Sequence, residues 1–433
     1  MPEDVLHTEH PVRVIVRDDF RRSRLTVFFR GLLAIPHYLW SLVFSIGVLF
    51  ASILNWLIAL ITGSPHPAIH RFVCAYIRYL AHLDAYLWLA ANPYPGFGGA
   101  VGSYPIEVDL PGPGPQARWK TLLRVVLAFP AFALAFALGG LGAIVAWNRG
   151  AGLADNGPSF HFSIGFGLLS LAVGLLAWFA ALATGRTPKG LRDAGVYSLG
   201  YASQTLAYLL LVTDRYPNAD PTALLADVDR PPEHPVRLVG DPHDLRRSRV
   251  TVFFRLLLAL PHFVWLSLWG AVVALATFIN WFVALVRGTP VARLHAFNAR
   301  YVRYQLHVNA FYYLVANPFP GFTGLPGTYP LDLELPPPTR QSRWKTLFRI
   351  VLAMPAWLVS YALSIALLLT AVMTWFVALV RGSAPWGIRN AAAYALRYNA
   401  QLTAYLLLLT DVYPHASPLE GAPTPEHSFD DAP

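Results

Sequence analysis

A chain of 433 residues with 55% apolar and only 13% charged residues lies far from the soluble balance, in which about a quarter of residues carry charge. With a mean hydropathy of +0.44, this excludes an ordinary soluble globule and points to a bilayer. The single cysteine, Cys74, excludes an intramolecular disulfide and a cysteine-based zinc site, and the net charge of +9 reads as attraction to anionic lipid rather than to nucleic acid.

Taken from the N-terminus, residues 1–20 are polar, so no cleavable signal peptide is expected. Residues 11–16 alternate with the period of a half-buried strand, expected on the aqueous side. The basic lead-in segment 21–35 follows, with Arg21, Arg22, Arg24 and Arg30 set among Leu25, Phe28, Phe29 and Leu32. Such a segment is predicted to lie in the headgroup layer as an interfacial helix, its arginines reaching anionic lipid phosphate. Pro36 suits the first turn of a new helix. The apolar stretch 37–62 carries aromatic residues at both ends, and about 20 apolar residues suffice to cross a hydrocarbon core roughly 30 Å thick. Gly63 and Pro65 end it. Residues 68–92 return as a helix, 104–110 form a second predicted strand, and the proline-rich stretch 111–115 leads into the next copy.

This unit recurs four times. The terminating glycines are Gly63, Gly185, Gly288 and Gly382, each with a tryptophan seven residues earlier: Trp56, Trp178, Trp281 and Trp375. An aromatic residue and a proline follow 31 residues later, at Tyr94-Pro95, Tyr216-Pro217, Phe319-Pro320 and Tyr413-Pro414. An arginine stands six residues before the leading proline in every copy: Arg30, Arg124, Arg255 and Arg349. The segment RRSR at 21–24 returns at 246–249, so Arg246, Arg247, Arg249 and Arg255 are candidate lipid contacts like their counterparts. From leading proline to glycine the distance is 27 residues in copies one, three and four and 55 in copy two, which therefore carries a 28-residue insertion. The units are 11–110, 111–220, 235–335 and 336–415, and residues 416–433, rich in Pro, Ala, Glu and Asp, are expected to be a disordered tail.

Polar groups recur inside an apolar pattern only in the return segments. Steps of four place Arg78, His82 and Tyr86 on one helical face, as they do Gly200, Gln204 and Tyr208; Arg303, His307 and Phe311; and Arg397, Gln401 and Tyr405. Asp84 adds an acid to the first copy, where the third has Asn309. One reading is that these stripes face headgroup water or pair with neighbouring helices. The other is that they converge on a polar pathway, since ionisable groups inside a membrane are costly and usually functional.

The four lead-in segments hold 15 of the 33 Lys and Arg residues and are expected in the cytoplasm, so each unit crosses an even number of times. The fold expected is an all-α integral membrane protein of the cell membrane with about eight transmembrane helices, multi-pass, with short strands on the aqueous side. The insertion splits the second apolar run into 130–147 and 163–184, the first part re-entrant or peripheral. A hairpin within each long run, with the return helix on the surface, is the competing topology; it would bend 355–380 in lipid without a turn residue.

No phosphate-cradling, dinucleotide, zinc-protease or nucleophile-elbow motif is present, so no catalytic residue, metal or cofactor is assigned. His66 and His70 flank prolines, and Val291 replaces His66 in copy three; His82 beside Asp84 has no acid-base counterpart in the other copies. The runs RRSRLTVFFRGLLAIPH, RRSRVTVFFRLLLALPH, NWFVALVRGTP and AYLLLVTDRYP resemble the bacterial membrane family catalogued as domain of unknown function 4389, over about residues 11–415. The resemblance implies a multi-span membrane protein and no activity. The function expected is a non-enzymatic scaffold that organises lipid or a membrane protein partner, the alternative being a transporter or channel lined by the return-helix stripes.

Overall fold

The computed structural model describes residues 10–139, 142–148, 159–165, 167–240 and 245–421, and among them the chain forms fourteen helices and six short strands. It divides into two compact units, Met1–Val228 and Asp229–Pro433, each built from two copies of the repeat.

Unit 1 opens with β1 (Arg13–Val16), the lead-in helix α1 (Arg24–Leu33), the apolar helix α2 (Ile35–Thr62), the return helix α3 (Pro67–Leu87) and β2 (Ile106–Asp109). Its second copy runs α4 (Arg118–Leu122), α5 (Arg124–Leu138), β3 (Gly142–Asn148), β4 (Ser159–Gly165), α6 (Leu168–Thr184), α7 (Lys189–Leu209) and the short α8 (Pro221–Leu224). Unit 2 contains β5 (Arg237–Gly240), α9 (Arg249–Phe253), α10 (Arg255–Arg287), α11 (Ala292–Tyr312), β6 (Leu331–Glu334), α12 (Arg343–Leu347), α13 (Arg349–Arg381) and α14 (Trp386–Leu406). β1 pairs antiparallel with β2 in the register Val14 to Val108, and β5 pairs with β6 in the register Leu238 to Leu333. Both predicted strands therefore form, and they pair with each other.

Among the described residues three helices, α2, α10 and α13, are long and apolar enough to cross a membrane. Each turns only a narrow stripe inward: in α2 it is His37, Ser41, Phe44, Val48, Asn55 and Ala59, at the spacing of one helical face. The opposite face shows Leu39, Val43, Ile46, Phe50 and Ile61 to the surroundings. The return helices are the reverse. In α7 small residues such as Gly190, Ala194, Gly195, Ser198 and Ala202 are enclosed, so neighbouring backbones approach closely, and α3 packs on α7 as α11 packs on α14. The return helices thus form the centre of each unit, with the apolar helices outside them, and none of them is among the candidate spans.

Two expectations are corrected. The second apolar run does not continue as a helix to residue 147: α5 ends at Leu138 and the insertion supplies the antiparallel pair β3 and β4. Residues 142–148 and 159–165 satisfy each other's backbone groups through an antiparallel ladder with Gly142 opposite Gly165 and Asn148 opposite Ser159. The intervening residues 149–158 lie outside the described residues, as does the tail from 422 onward. Second, the leading proline opens a helix only at Pro36; in the other copies the break falls earlier, at Leu123, Phe254 and Phe348, leaving Pro130, Pro261 and Pro355 inside the helix.

The repeat landmarks join the two copies within each unit. Every terminating glycine closes its helix in the left-handed conformation, with φ between 70° and 81°, where a side chain would be strained. The carbonyl of each accepts a backbone N–H from the lead-in of the other copy: Arg22 to Gly185 at 2.9 Å and Gln116 to Gly63, Arg247 to Gly382 and Gln341 to Gly288 at 2.8 Å. The tryptophans do the same, Trp56 Nε1 donating to Thr121, Trp178 to Val27, Trp281 to Thr346 and Trp375 to Val252. Arg24, Arg118, Arg249 and Arg343 each cap the last turn of the apolar helix of the paired copy, through Ala183, Ile61, Val380 and Val286. The exchange is reciprocal, as across a twofold interface. Trp375→Phe keeps an aromatic ring but removes the indole N–H that donates to the Val252 carbonyl, and is expected to destabilise unit 2 by about 1–2 kcal/mol in denaturant unfolding in detergent.

Candidate functional site

The polar stripe of the return helices lies against the strand pairs. In copy one Arg78 Nε donates to the Val108 carbonyl at 3.2 Å and sits 3.7 Å from Glu107, while His82 Nε2 lies 3.5 Å from the same carboxylate and its ring stacks on Tyr104. Copy three repeats the arrangement. Arg303 donates to Leu333, His307 Nε2 lies 3.1 Å from Asp332, and its ring stacks on Tyr329. Burial alone would raise the carboxyls of Glu107 and Asp332, but the histidine and two backbone N–H groups on each outweigh it and hold them below their usual range.

Copies two and four use glutamine instead. Gln204 donates to the Val12 carbonyl at 3.0 Å and accepts from the Asn218 N–H, and Gln401 bridges Val236 and His415 in the same way. Arg397 donates to the Ser417 carbonyl at 2.6 Å. Within each unit, then, Arg78, His82 and Gln204, or Arg303, His307, Arg397 and Gln401, hold strands and connecting segments against the return helices. Asp84 is half-buried, and its main-chain carbonyl accepts the Trp88 N–H at the end of α3 at 2.9 Å.

The position of Arg397 is Gly200 in copy two, and the sequence offered no reason. A Cβ on Gly200 would stand 3.1 Å from both Leu224 and Val14, because α8 folds over that point. In unit 2 the corresponding segment, residues 417–421, instead runs past the Arg397 guanidinium, which lies 3.9 Å from Glu420, and borders a cavity of about 400 Å³ lined by His234, Arg237, Arg397, Gln401 and Glu420.

The candidate lipid arginines divide. Arg22, Arg30, Arg247 and Arg255 are buried and bound to main-chain carbonyls. Arg22 donates to Leu89 and Ala90 and pairs with Asp18, and Arg247 donates to Leu314 and Val315. Arg255 donates to Phe311 and Ala316 at 2.6 and 3.0 Å with its guanidinium 4.3 Å over the Phe311 ring, and Arg30 repeats this with Tyr86 and Ala91. These arginines close the C-termini of the return helices, whose carbonyls lack intrahelical partners. Arg21, Arg24, Arg246 and Arg249 are exposed.

Sequence reasoning missed Glu107 and Asp332, although each lies 25 residues beyond the stripe histidine, and missed the paired tripeptides His10-Pro11-Val12 and His234-Pro235-Val236. In each tripeptide the histidine Nδ1 accepts the valine N–H, at 3.2 and 3.0 Å, next to the carbonyl held by Gln204 or Gln401. Burial pushes both histidines down to about 4. A folded value below the unfolded one means the unfolded chain binds the extra proton, so stability is full above pH 6.5 and lost as pH falls toward 4. Stepwise acidification with hydrogen exchange at Val12 and Val236 is expected to show these strands releasing in that window, and His10→Gln with His234→Gln to shift the release to lower pH.

Among the described residues no three His, Cys, Asp or Glu side chains gather as a metal site requires. Four stretches, 24–98, 162–219, 249–323 and 343–417, match the family described as domain of unknown function 4389. The chain belongs to that family. No curated protein and no solved structure matches it. Each full match begins at a lead-in helix and ends just beyond the return helix; the match in copy two begins only at 162, within β4, so the lead-in helix, α5 and β3 fall outside it. The strands β1, β2, β5 and β6 lie outside the matched stretches, so the stripe of a 4389 copy grips elements that the family pattern does not include.

Proposed function

We propose that the protein is a non-enzymatic membrane protein that binds anionic lipid through exposed arginines at the ends of its apolar helices and offers its strand pairs and connecting segments to a membrane protein partner. The observation that carries this reading is the pairing, at Arg21, Arg24, Arg246 and Arg249, of solvent-exposed cationic side chains with exposed Leu25, Phe28, Val250 and Phe253. That combination suits a headgroup layer above acyl chains. The positive-inside bias favours the cytoplasmic face of the cell membrane for these segments.

Eight crossings would ask α3, α7, α11 and α14 to span. Their composition does not support it, and neither do the lengths of α5 and α6, 15 and 17 residues, roughly 22–26 Å against a core of about 30 Å. The transporter reading draws no support from the stripe, whose members are engaged with strands of their own unit.

The test is flotation with phosphatidylglycerol vesicles against phosphatidylcholine vesicles. Changing Arg21, Arg24, Arg246 and Arg249 to Gln is expected to weaken capture by the anionic vesicles about a hundredfold at low salt, each near-surface cation contributing about 1 kcal/mol less screening. Equal capture of parent and variant would refute the lipid reading.

A further inference from the structure

The locks between paired copies constrain how a unit can sit in a membrane. In unit 2 the lead-in of copy three is held at the start of α10, where Arg247 and Arg255 bind the end of α11 at Leu314 and Phe311. The lead-in of copy four is held at the far end of α10, by Gln341 on Gly288 and Arg343 on Val286. Thirty-three residues at about 1.5 Å each put these two points on the order of 50 Å apart. If α10 crossed the bilayer, the two lead-ins would face opposite compartments.

The chain between them must cover the same distance, and it does so along α11. Gly324 lies against the Arg300 carbonyl, Asp332 meets His307, Leu333 meets Arg303, and Gln341 reaches Gly288. This path is rich in proline and glycine, carries Asp332 and Glu334, and is largely open to its surroundings, with Gly321, Phe322, Thr323, Leu325, Pro326 and Gly327 exposed. Among the described residues its strand β6 pairs with β5 alone, leaving the other edge open. Irregular backbone and open strand edges are not tolerated against hydrocarbon. Unit 1 repeats the path, with Gly99 on Ala75, Glu107 at His82, Val108 at Arg78 and Gln116 on Gly63.

We propose that each unit lies along one leaflet, its apolar helices parallel to the membrane plane in the acyl layer, with the return helices above them and the strands and connecting segments in water on the same side. The occupant of the exposed faces of α2, α10 and α13 is the acyl chains of that leaflet. Leu256, Leu260, Val264, Leu268, Val272 and Leu275 run along the outer side of α10, and the exposed Arg249 and Arg343 mark its two ends at headgroup level. The arrangement rests on the membrane-binding reading above, and explains how the unit tolerates a broken helix, α5 and α6, opposite α2: a helix lying in the plane has no thickness to span.

The experiment counts labels on single molecules of the full chain. In a Cys74→Ala background, Ser248→Cys and Ser342→Cys place one thiol at each lead-in of unit 2; both serines are exposed. The protein is reconstituted into sealed vesicles, treated with a membrane-impermeant maleimide, quenched and weighed intact. In-plane seating gives molecules with two labels and molecules with none, whatever the mixture of orientations. A population with one label each, becoming two after the vesicles are opened, would overturn the proposal. A second pair in unit 1, Ser23→Cys with Pro115→Cys, both exposed and one in each lead-in, guards against a misfolded variant and must agree. Failure to float with any vesicle would instead count against the membrane-binding reading, leaving the two outcomes separable.

Discussion

Arg349→Ala is expected to destabilise unit 2 by about 3–5 kcal/mol, the cost of removing one member from a buried charged network. Arg349 is 2% exposed and serves four acceptors: Nη1 donates to the carbonyls of Tyr405 and Thr410, and Nη2 donates to Gln341 Oε1 at 2.8 Å and Asp411 Oδ1 at 3.0 Å. Its guanidinium lies 4.5 Å from the centre of the Tyr405 ring. Alanine therefore leaves the end of α14 uncapped and Asp411 without its main partner. Arg349→Lys keeps the charge without the planar fork and is expected to recover only part of the loss. Arg343→Ala, which removes one exposed bond to Val286, is expected to cost less than about 1 kcal/mol. Chemical unfolding in detergent, followed by tryptophan fluorescence, ranks the three; Arg349→Ala within experimental error of Arg343→Ala would contradict the capping role.

The second large effect concerns two glycines that the repeat count does not single out. A Cβ on Gly324 would stand 2.1 Å from the Arg300 carbonyl oxygen, and one on Gly99 would stand 2.0 Å from that of Ala75, each at a φ near 60° that side chains resist. Both obstructions are backbone, so the connecting loop must lift. That carries away the ring of Phe322, stacked 4.4 Å from His262, and its carbonyl, which accepts from Trp265; Phe97 stands to His37 and Trp40 in the same way. Gly324→Ala is expected to cost about 4 kcal/mol or more, in the range reserved for severe steric faults. Gly327→Ala, at φ +71° with nothing within 4 Å, carries backbone strain alone and is expected to cost about 1 kcal/mol. Equal losses in the two variants would show that the close approach does not matter.

Much of the local structure was legible because it depends on neighbours in the chain. The long apolar runs, the glycine stops and the strands at 11–16 and 104–110 follow from periodicity and from the backbone freedom of glycine. The candidate site was legible only in part. Spacing by four identified one face on each return helix, but a face says nothing about what covers it. Arg78 and His82 meet Glu107, and Gln204 meets Val12, from the far side of a loop or from the other copy. The arginines of the lead-in helices look alike in sequence, yet Arg22 and Arg30 are enclosed while Arg21 and Arg24 are not, because enclosure depends on where the end of the return helix lands.

By itself, then, the sequence determined a fourfold-repeated, lipid-compatible chain with its glycine helix stops, its interruption in copy two and its family. Those properties are additive along the chain, set by composition, period and the conformational limits of glycine and proline. Only the tertiary structure decided that copies pair within each unit, that the polar return helices lie inside, and that the landmark glycines, tryptophans and arginines bind the partner copy. Hydrogen bonds such as Trp178 to Val27 join residues 151 positions apart, and their geometry depends on how two helical surfaces fit together, which no single surface encodes.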